Sequence, residues 1–532
     1  MLASSGAGDH RTKHPARGDA IMAYLRRNVW ELGGDWADPI LWYARGVKAM
    51  KARALNEPTA WRFYGAMHGI DQGLWRQLGY LGPGDQMPSS GDSKIFWQQC
   101  QHGSWYFLPW HRGYLMAFES IIRDAVTQLD PSVDWALPYW NYFKLGQDKL
   151  PPAFASPDWP DGKGDNPLYV AARYGPKNDG NIYVPLDQVN LNALSDPDFT
   201  GVAGGGGPGF GGVDTGFSHG GNVHGGVETQ PHDQVHGLVG GSDQNTGLPG
   251  LMSDPDTAGL DPIFWLHHAN IDRLWEIWGQ NPPTHVDPSA ANWLKGPASI
   301  GERPFTMPMP GGKVWTYAPA DMGDLSKLGY QYDDVSPPSG TPQLSIRLQN
   351  LNVGPAAAMA IEENVAMGAP KKVELLGASD QPIGLVGGES ARVSVALNAA
   401  VQGRVSASLA AAKEATVPDR VFLNLENVRG LNDATIFKVY VGARGGEGEA
   451  APPERLAGSI ALFGVRKATQ ADGEHAGAGL TFVLEITQVI DELHLADALS
   501  AGRLDVRLEP MNPVPEAAKV SIGRISVFRQ GS

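Results

Sequence analysis

The sequence predicts a mainly α-helical first domain, a helical bundle with many long loops, followed by an all-β, sandwich-like C-terminal domain. Three observations carry this reading. All 16 tryptophans lie between Trp30 and Trp315, and most of the 14 histidines precede residue 300, so the composition changes beyond Trp315. Before that point apolar residues recur at three- and four-residue spacings. After it they alternate with polar ones, the period of a half-buried strand. The stretch "YDDVSPPSGTP" (Tyr332–Pro342) separates the two regimes with residues that oppose regular structure. The expected division is residues 1–334 for the helical domain, 335–342 for a proline-rich linker and 343–532 for the β-rich domain.

The helical pattern is clearest in "DPILWYARGVKAMKARAL" (Asp38–Leu55), "WHRGYLMAFESIIRDAVTQL" (Trp110–Leu129) and "HHANIDRLWEIWGQ" (His267–Gln280). Between them run proline- and glycine-rich stretches. The extreme, Gly201–Gly226, reads as an irregular and mobile loop. After the linker, nine segments from "QLSIRLQNL" (Gln343–Leu351) through "TIFKVYVGA" and "GSIALFGV" to "KVSIGRISVF" read as strands separated by turn residues, which suggests an antiparallel sandwich or barrel.

At 532 residues the chain is long enough for two or three domains. A net charge of −15 argues against a nucleic-acid surface or an anionic membrane as the main partner. No run of about 18 apolar residues signals a membrane span, and the first residues lack the apolar core of a secretory signal. The single cysteine, Cys100, permits no intrachain disulfide, so a cytoplasmic location is expected.

Three histidine clusters stand out. His102 and His111 lie nine apart in "HGSWYFLPWHRGYLMAFE". His232 and His236 lie four apart in "ETQPHDQVHGLVGG", on one face if the segment is helical. His267 and His268 are adjacent in "DPIFWLHHANIDRLW", about 100° apart on a helix, so both do not easily serve one site. No matching cysteine or carboxylate set accompanies them. An all-imidazole set with open positions suits copper, zinc or nickel, whereas carboxylates suit magnesium, calcium, manganese or di-iron. The His-Glu-x-x-His and Glu-x-x-His patterns of zinc proteases and di-iron bundles are absent. Six imidazoles shared between two metals suit two copper ions.

"HGSWYFLPWHRGYLMAFE" and "DPIFWLHHANIDRLWEIW" resemble the two copper-binding signatures of the type 3 copper proteins: tyrosinases, catechol oxidases and haemocyanins. The resemblance covers most of residues 60–335. It implies a dicopper oxidase that uses dioxygen to ortho-hydroxylate monophenols and to oxidise o-diphenols to o-quinones. Two alternatives stay open: a catechol or o-aminophenol oxidase without monophenol hydroxylation, and a haemocyanin-like oxygen carrier. Carried over by motif, copper A takes His68, His102 and His111, and copper B takes His232, His236 and His268. His267 becomes a neighbour that packs near the site. Small phenolic substrates are the expected partners, with no nucleic acid and no membrane; self-association into a homo-oligomer stays open.

The same resemblance assigns supporting residues. "CQH" has the Cys-x-His pattern in which a cysteine is joined through sulfur to a copper A ligand, here Cys100 to His102. Glu228 corresponds to a glutamate holding a water that deprotonates an incoming phenol. Asp233 stands where many hydroxylating relatives have asparagine bonded to that water; an aspartate accepts but donates only when protonated. Phe264 and Trp105–Phe107 are expected to wall the site, with Trp105 and Tyr106 in the core, and Gly237 to leave the copper B entrance uncrowded. Arg112, Asp261, Asp272 and Arg273 read as structural. His219 and His224 read as solvent-exposed loop residues, and His10, His14, His285, His475 and His494 have no motif. Tyr330-Gln331-Tyr332 resembles a Tyr-x-Tyr signature that packs on an arginine, for which Arg26 and Arg27 are the candidates. "TIFKVYVGARGG" resembles a strand motif of the C-terminal domain of plant polyphenol oxidases and haemocyanins, which in latent enzymes covers the copper site. Residues 343–532 are therefore a candidate lid, the alternative being a stability or oligomerisation module.

Overall fold

The computed structural model describes residues 23–531 apart from 162–163, 220, 282–283, 342, 367, 369–370, 444–452, 473–475 and 500–501. His10, His14, His475 and the N-terminal segment lie outside the described residues. No helix among the described residues is long and apolar enough to cross a membrane.

Five helices build the first core: α1 (Asp38–Lys51), α2 (Trp61–His68), α3 (Phe107–Leu129), α4 (Gln234–Gly240) and α5 (Pro262–Trp278). Each starts or stops for a local reason. In α1 Pro39 occupies the first turn, where its missing N–H costs nothing, and Lys48 and Lys51 lie in the last turn near the negative dipole end. Asp261 caps α5 by accepting from the Ile263 N–H at 3.0 Å, and Arg173 pairs with the same carboxylate at 2.6 Å. The central helix α3 buries residues on nearly every face of its first four turns, so it must be surrounded. Helix α1 approaches it at Gly46, where a Cβ would lie 2.8 Å from Ile122 Cγ2. From the other side, Trp265 of α5 stacks on Phe118 with ring centroids 3.5 Å apart.

The ends of this region are tied together by a short parallel pair, β1 (Tyr24–Arg26) and β2 (Tyr330–Tyr332). Arg26 is the arginine that the Tyr-x-Tyr signature packs on. Its guanidinium lies 3.8 Å from the Tyr330 ring centroid and bonds Glu119 of α3 at 2.7 Å, Asp272 of α5 at 3.2 Å and the Tyr332 hydroxyl at 2.9 Å. Arg112 pairs with Asp272 and Arg273 with Asp334, as the structural reading of these residues requires.

Beyond the proline-rich stretch, one predicted strand is corrected. "QLSIRLQNL" forms a helix, α6 (Leu344–Asn350), followed by α7 (Pro355–Ala366). The alternation of Leu344, Ile346 and Leu348 mimics a strand, but Ile346 is exposed while Leu344, Leu348 and Leu351, spaced four and three apart, face the core. The other predicted segments hold strands: β3 (Lys372–Ala378), β4 (Ala391–Leu397), β5 (Arg420–Val428), β6 (Ile436–Ala443), β7 (Arg455–Ala461), β8 (Leu480–Glu485), β9 (Arg503–Pro510) and β10 (Arg524–Gly531). They make one antiparallel eight-stranded sheet in the order β7-β6-β9-β4-β3-β10-β5-β8. Its end strands β7 and β8 lie against each other, so the sheet is rolled almost closed. Helices α6, α7 and α8 (Ala399–Ala411) contribute Leu348, Ile361 and Val405 to its core, so this region is β-rich rather than all-β.

Two hydrophobic cores result, and three residues from the β-rich region cross into the first: Ile436, Ala461 and Phe463. Charges line the same junction. Arg466, on the short helix α9 (Val465–Thr469), pairs with Asp71, Asp254 and Asp256, and Arg420 pairs with Asp196.

Arg26→Met leaves two buried carboxylates undercompensated, and the expected loss is about 3–5 kcal/mol, measured by urea denaturation at neutral pH. Burial pushes Asp272 up, but Arg112 and Arg26 outweigh it and hold its carboxyl below the usual range. That contribution is present above the unfolded carboxylate pKa and is lost as pH falls through the lower folded value. The gap between wild type and variant therefore narrows in acid.

Candidate metal centre

Four elements bring the six motif histidines together. His68 ends α2, His102 lies in the loop before α3, and His111 is in the first turns of α3. His232 lies in an irregular turn, interrupted at Gln230 (φ −143°, ψ 119°), that runs into α4; His236 is on α4 and His268 on α5. All six are buried. They form two groups, His68, Cys100, His102 and His111 in one and His232, His236, His267 and His268 in the other, each with donor atoms within 4.8 Å of one another. The groups abut: the rings of His111 and His268 stack with centroids 4.4 Å apart.

Their hydrogen bonds prepare the rings for a metal. His68 Nδ1 lies 2.7 Å from the Pro255 carbonyl, His111 Nδ1 2.8 Å from that of Phe107 and His236 Nδ1 2.7 Å from that of Met252. His232 Nδ1 lies 2.9 Å from the Asp233 carboxylate. An acceptor at Nδ1 fixes the proton there and leaves a lone pair at Nε2. Those lone pairs point inward, and the one on His111 Nε2 meets only the Cys100 thiol, its sulfur 3.3 Å away. His68 Nε2 and His268 Nδ1 have no hydrogen-bond partner among the described residues, and His232 Nε2 and His236 Nε2 both face His268 Nε2 at 3.3 Å. Burial lowers the pKa of every ring, His68 to about 4, and neighbouring imidazoles depress His102, His111, His232 and His268 further. Converging neutral nitrogen donors with unmet lone pairs fit bound copper ions.

Glycine makes one of these contacts possible. A Cβ at Gly69 would lie 2.8 Å from the Pro255 carbonyl oxygen that holds His68. Cys100, a free buried thiol, has its sulfur 3.6 Å and 3.4 Å from the two ring nitrogens of His102 and 3.3 Å from His111 Nε2. Phe264 lies against His68 (4.9 Å between centroids) and His268 (4.1 Å), and Phe107 against His111 (4.5 Å) and His232 (4.8 Å). Trp105 and Tyr106 are in the core.

His267 is closer to the centre than a packing neighbour need be. It belongs to the second donor group, neither of its nitrogens has a partner among the described residues, and burial lowers it to about 3. Its ring stacks on His232 with centroids 5.4 Å apart and tilts against Tyr142 at 5.7 Å.

Two expectations are overturned. His219 and His224 are buried, not solvent-exposed. His219 sits between the Cys100 carbonyl (3.1 Å), Gln98 (2.8 Å) and Lys467 (2.7 Å). His224 Nδ1 lies 2.6 Å from Asp233 Oδ2. The glycine-rich stretch is packed rather than loose, because side-chain-free backbone lies flat between the two cores. Phe210 stacks on Trp278 at 4.6 Å, and Val223 pairs with Thr481 of β8. A histidine inside such a stretch carries no periodicity that would reveal its burial.

Glu228, His224 and Asp233 form a third buried cluster. Glu228 accepts the Gly103 N–H at 2.9 and 3.0 Å, and burial together with Asp233 pushes its carboxyl up to about 8 against the pull of His224. Burial opposes charging His224, but Glu228 and Asp233 outweigh it and raise the imidazole to about 9. Both Asp233 oxygens are taken, one by His232 and one by His224.

The β-rich region fills the space over the centre. Phe463 stacks on His236 with centroids 4.3 Å apart and meets His102 and His232 edge-on at 5.6 and 5.7 Å. The room that Gly237 leaves is taken by Ile436 and Ala461, 3.1 and 3.2 Å from where a Cβ would stand.

Comparison with known proteins agrees with this geometry. The common central domain of tyrosinase matches residues 58–193 and 204–281, and a domain of unknown function (DUF7868) matches 372–530. Tyrosinase HcTyr1 of a Hahella species is 31% identical over 519 residues, 95% of this chain and 99% of that protein. A chloroplastic polyphenol oxidase of Malus domestica is 25% identical over 75% of this chain and 62% of its own length. The structure of latent apple tyrosinase covers 98% of this chain and 99% of its own with a TM-score of 0.57 at 20% identity, and so shares the fold. With a tyrosinase matching it almost end to end, and six buried imidazoles where that family's central domain lies, the chain belongs to the tyrosinase and polyphenol oxidase family of copper oxidases.

Proposed function

We propose that the protein is a phenol oxidase that takes up dioxygen, oxidises o-diphenols to o-quinones and ortho-hydroxylates monophenols. The observation that supports this reading is the pair of abutting donor groups, built from neutral imidazoles and one buried thiol. In this reading His68, His102 and His111 hold copper A, His232, His236 and His268 hold copper B, and His267 packs beside them. When bound, the copper pair supplies the redox chemistry that passes electrons from the phenol to dioxygen. The chain's own residues do the rest. The carbonyls of Pro255, Phe107 and Met252 orient the rings, and Phe264 and Phe107 exclude water. In its ionised form Glu228 accepts through a carboxylate oxygen, by way of a water, the proton that a phenol gives up; with its carboxyl pushed up to about 8 it is a stronger base, and that role grows as pH rises toward this value. A second reading, o-diphenol or o-aminophenol oxidation without monophenol hydroxylation, is favoured by Asp233, whose oxygens are both engaged.

Residues 343–532 act as a lid in this reading, with Phe463 covering the copper site. A blocked centre also suits an oxygen carrier, so the decisive measurement is oxygen uptake by copper-loaded wild type and Phe463→Gly with tyrosine, L-DOPA and o-aminophenol. The expected result is L-DOPA turnover that rises on the order of tenfold or more in Phe463→Gly, because an open state is no longer taxed by closure. Two bound coppers with no turnover of any phenol in either protein would point to oxygen carriage.

Copper stoichiometry tests the ligand set: His268→Ala should hold one copper, and His267→Ala two. Cys100 and His102 are expected to join on turnover through a sulfur–carbon bond, the S–H and a ring C–H breaking and their two protons and two electrons reducing dioxygen to hydrogen peroxide. Intact mass should then fall by two hydrogen atoms and the thiol should stop reacting with alkylating reagents.

A further inference from the structure

We infer that His224 is a positioning residue for copper B: it fixes the Asp233 carboxylate against His232 and so sets that ring's orientation and donor strength. The inference rests on the dicopper reading above. Four ligand rings have a fixed Nδ1 acceptor, and three of those acceptors are backbone carbonyls held by helices or tight turns. His232 differs, since its Nδ1 is met at 2.9 Å by a side chain, Asp233 Oδ1. A carboxylate makes a stronger acceptor than a carbonyl and raises the basicity of the ring it holds. It is also free to rotate unless its other oxygen is pinned.

His224 pins it, with Nδ1 2.6 Å from Asp233 Oδ2. The result is a linear chain, His224 to Asp233 to His232, with both carboxylate oxygens used and both groups buried. No other side chain in the cluster does this work. Glu228 is committed to the Gly103 N–H, and its nearest oxygen is 3.9 Å from His224 Nδ1. The backbone carrying His224 is itself anchored, because the Thr481 N–H of β8 donates to the Asn222 carbonyl at 2.7 Å and Val223 bridges to Thr481. His224 is therefore held from the β-rich side of the junction while it acts on the copper side.

The experiment follows copper release from the loaded full-length protein to an excess of chelator. In wild type two coppers are released. In His224→Ala one of them should leave roughly 10–100-fold faster, the usual effect of losing an outer hydrogen-bond partner, and the other should be unchanged. His224→Asn, whose side-chain amide restores a donor near the Nδ1 position, should return the rate most of the way to wild type. Asp233→Asn should reproduce the fast phase, and adding His224→Ala to it should bring little more, because both act through one ring. In His268→Ala, which retains copper A alone, His224→Ala should be silent. Unchanged release of both coppers in His224→Ala, equal acceleration of both, or additive effects with Asp233→Asn would overturn the assignment. If His224→Ala fails to fold, His224→Leu, which fills the space but offers no donor, decides it by the same two criteria, selectivity for one copper and non-additivity with Asp233→Asn. Wild type failing to bind two coppers would instead overturn the dicopper reading.

Discussion

Everything at the centre of this protein depends on where four imidazoles put their Nδ1 protons. A buried ring without a fixed acceptor can choose either tautomer, and a ring in water can take a second proton. Here Pro255, Phe107 and Met252 offer carbonyls, and Asp233 a carboxylate, at hydrogen-bond distance from Nδ1. Each leaves an Nε2 lone pair aimed inward. Burial keeps the rings neutral, and the packing of α2, α3, α4 and α5 brings the lone pairs within a few ångströms of one another. Without a cation that arrangement is a cost, since His68 Nε2 is unmet and His232 and His236 must share the single Nε2 of His268. With one it becomes a binding site assembled before the ion arrives.

The helical core exists to hold those acceptors still. Arg26 gathers β1, β2, α3 and α5 at one point through Glu119, Asp272 and two tyrosines, and Phe118 stacked on Trp265 locks α3 to α5. The metal centre lies further along the same two helices. A buried ion network is weak evidence for stability in itself but a strong constraint on register, because a shifted helix would strand a charge. The β-rich region is bound to this core by more than contact of apolar surface. Arg466 and Lys467 reach across to Asp71, Asp254 and Asp256, and Asp254 and Asp256 flank the same Pro255 whose carbonyl holds His68. Phe463 precedes this charged pair by only a few residues. The side chain that covers the histidines and the charges that seat it thus form a single local unit, with Gly464 (φ +85°) turning the chain between them.

Much of this was legible in the sequence because it rests on local periodicity and spacing. The helices carrying His111 and His268 declared themselves by apolar spacing, the strands by alternation, and Asp261 by its position before Pro262. The spacings singled out His102 with His111 and His232 with His236, the family resemblance added His68 and His268, and of the two candidate arginines for Tyr330 and Tyr332 the fold uses Arg26. The failures also have local causes. Gln343–Leu351 satisfies both a strand and a helix pattern, and only the burial of Leu348 and Leu351 with Ile346 outside decides between them. His224 sits in a stretch whose glycines suggest mobility when isolated, yet the same glycines let backbone pack flat against aromatic rings and β8.

The sequence by itself determined the helical and strand-bearing regions, the donor chemistry of the centre and the family resemblance, since each is written in residue type and short-range spacing. Tertiary structure decided what stands between and above the histidines. That Asp233 is shared by His232 and His224, that His267 lies among the donors, and that Phe463 covers His236 all join residues distant in the chain or separated by unpatterned loops. Contacts of that kind depend on how two cores dock, and no local period encodes the docking.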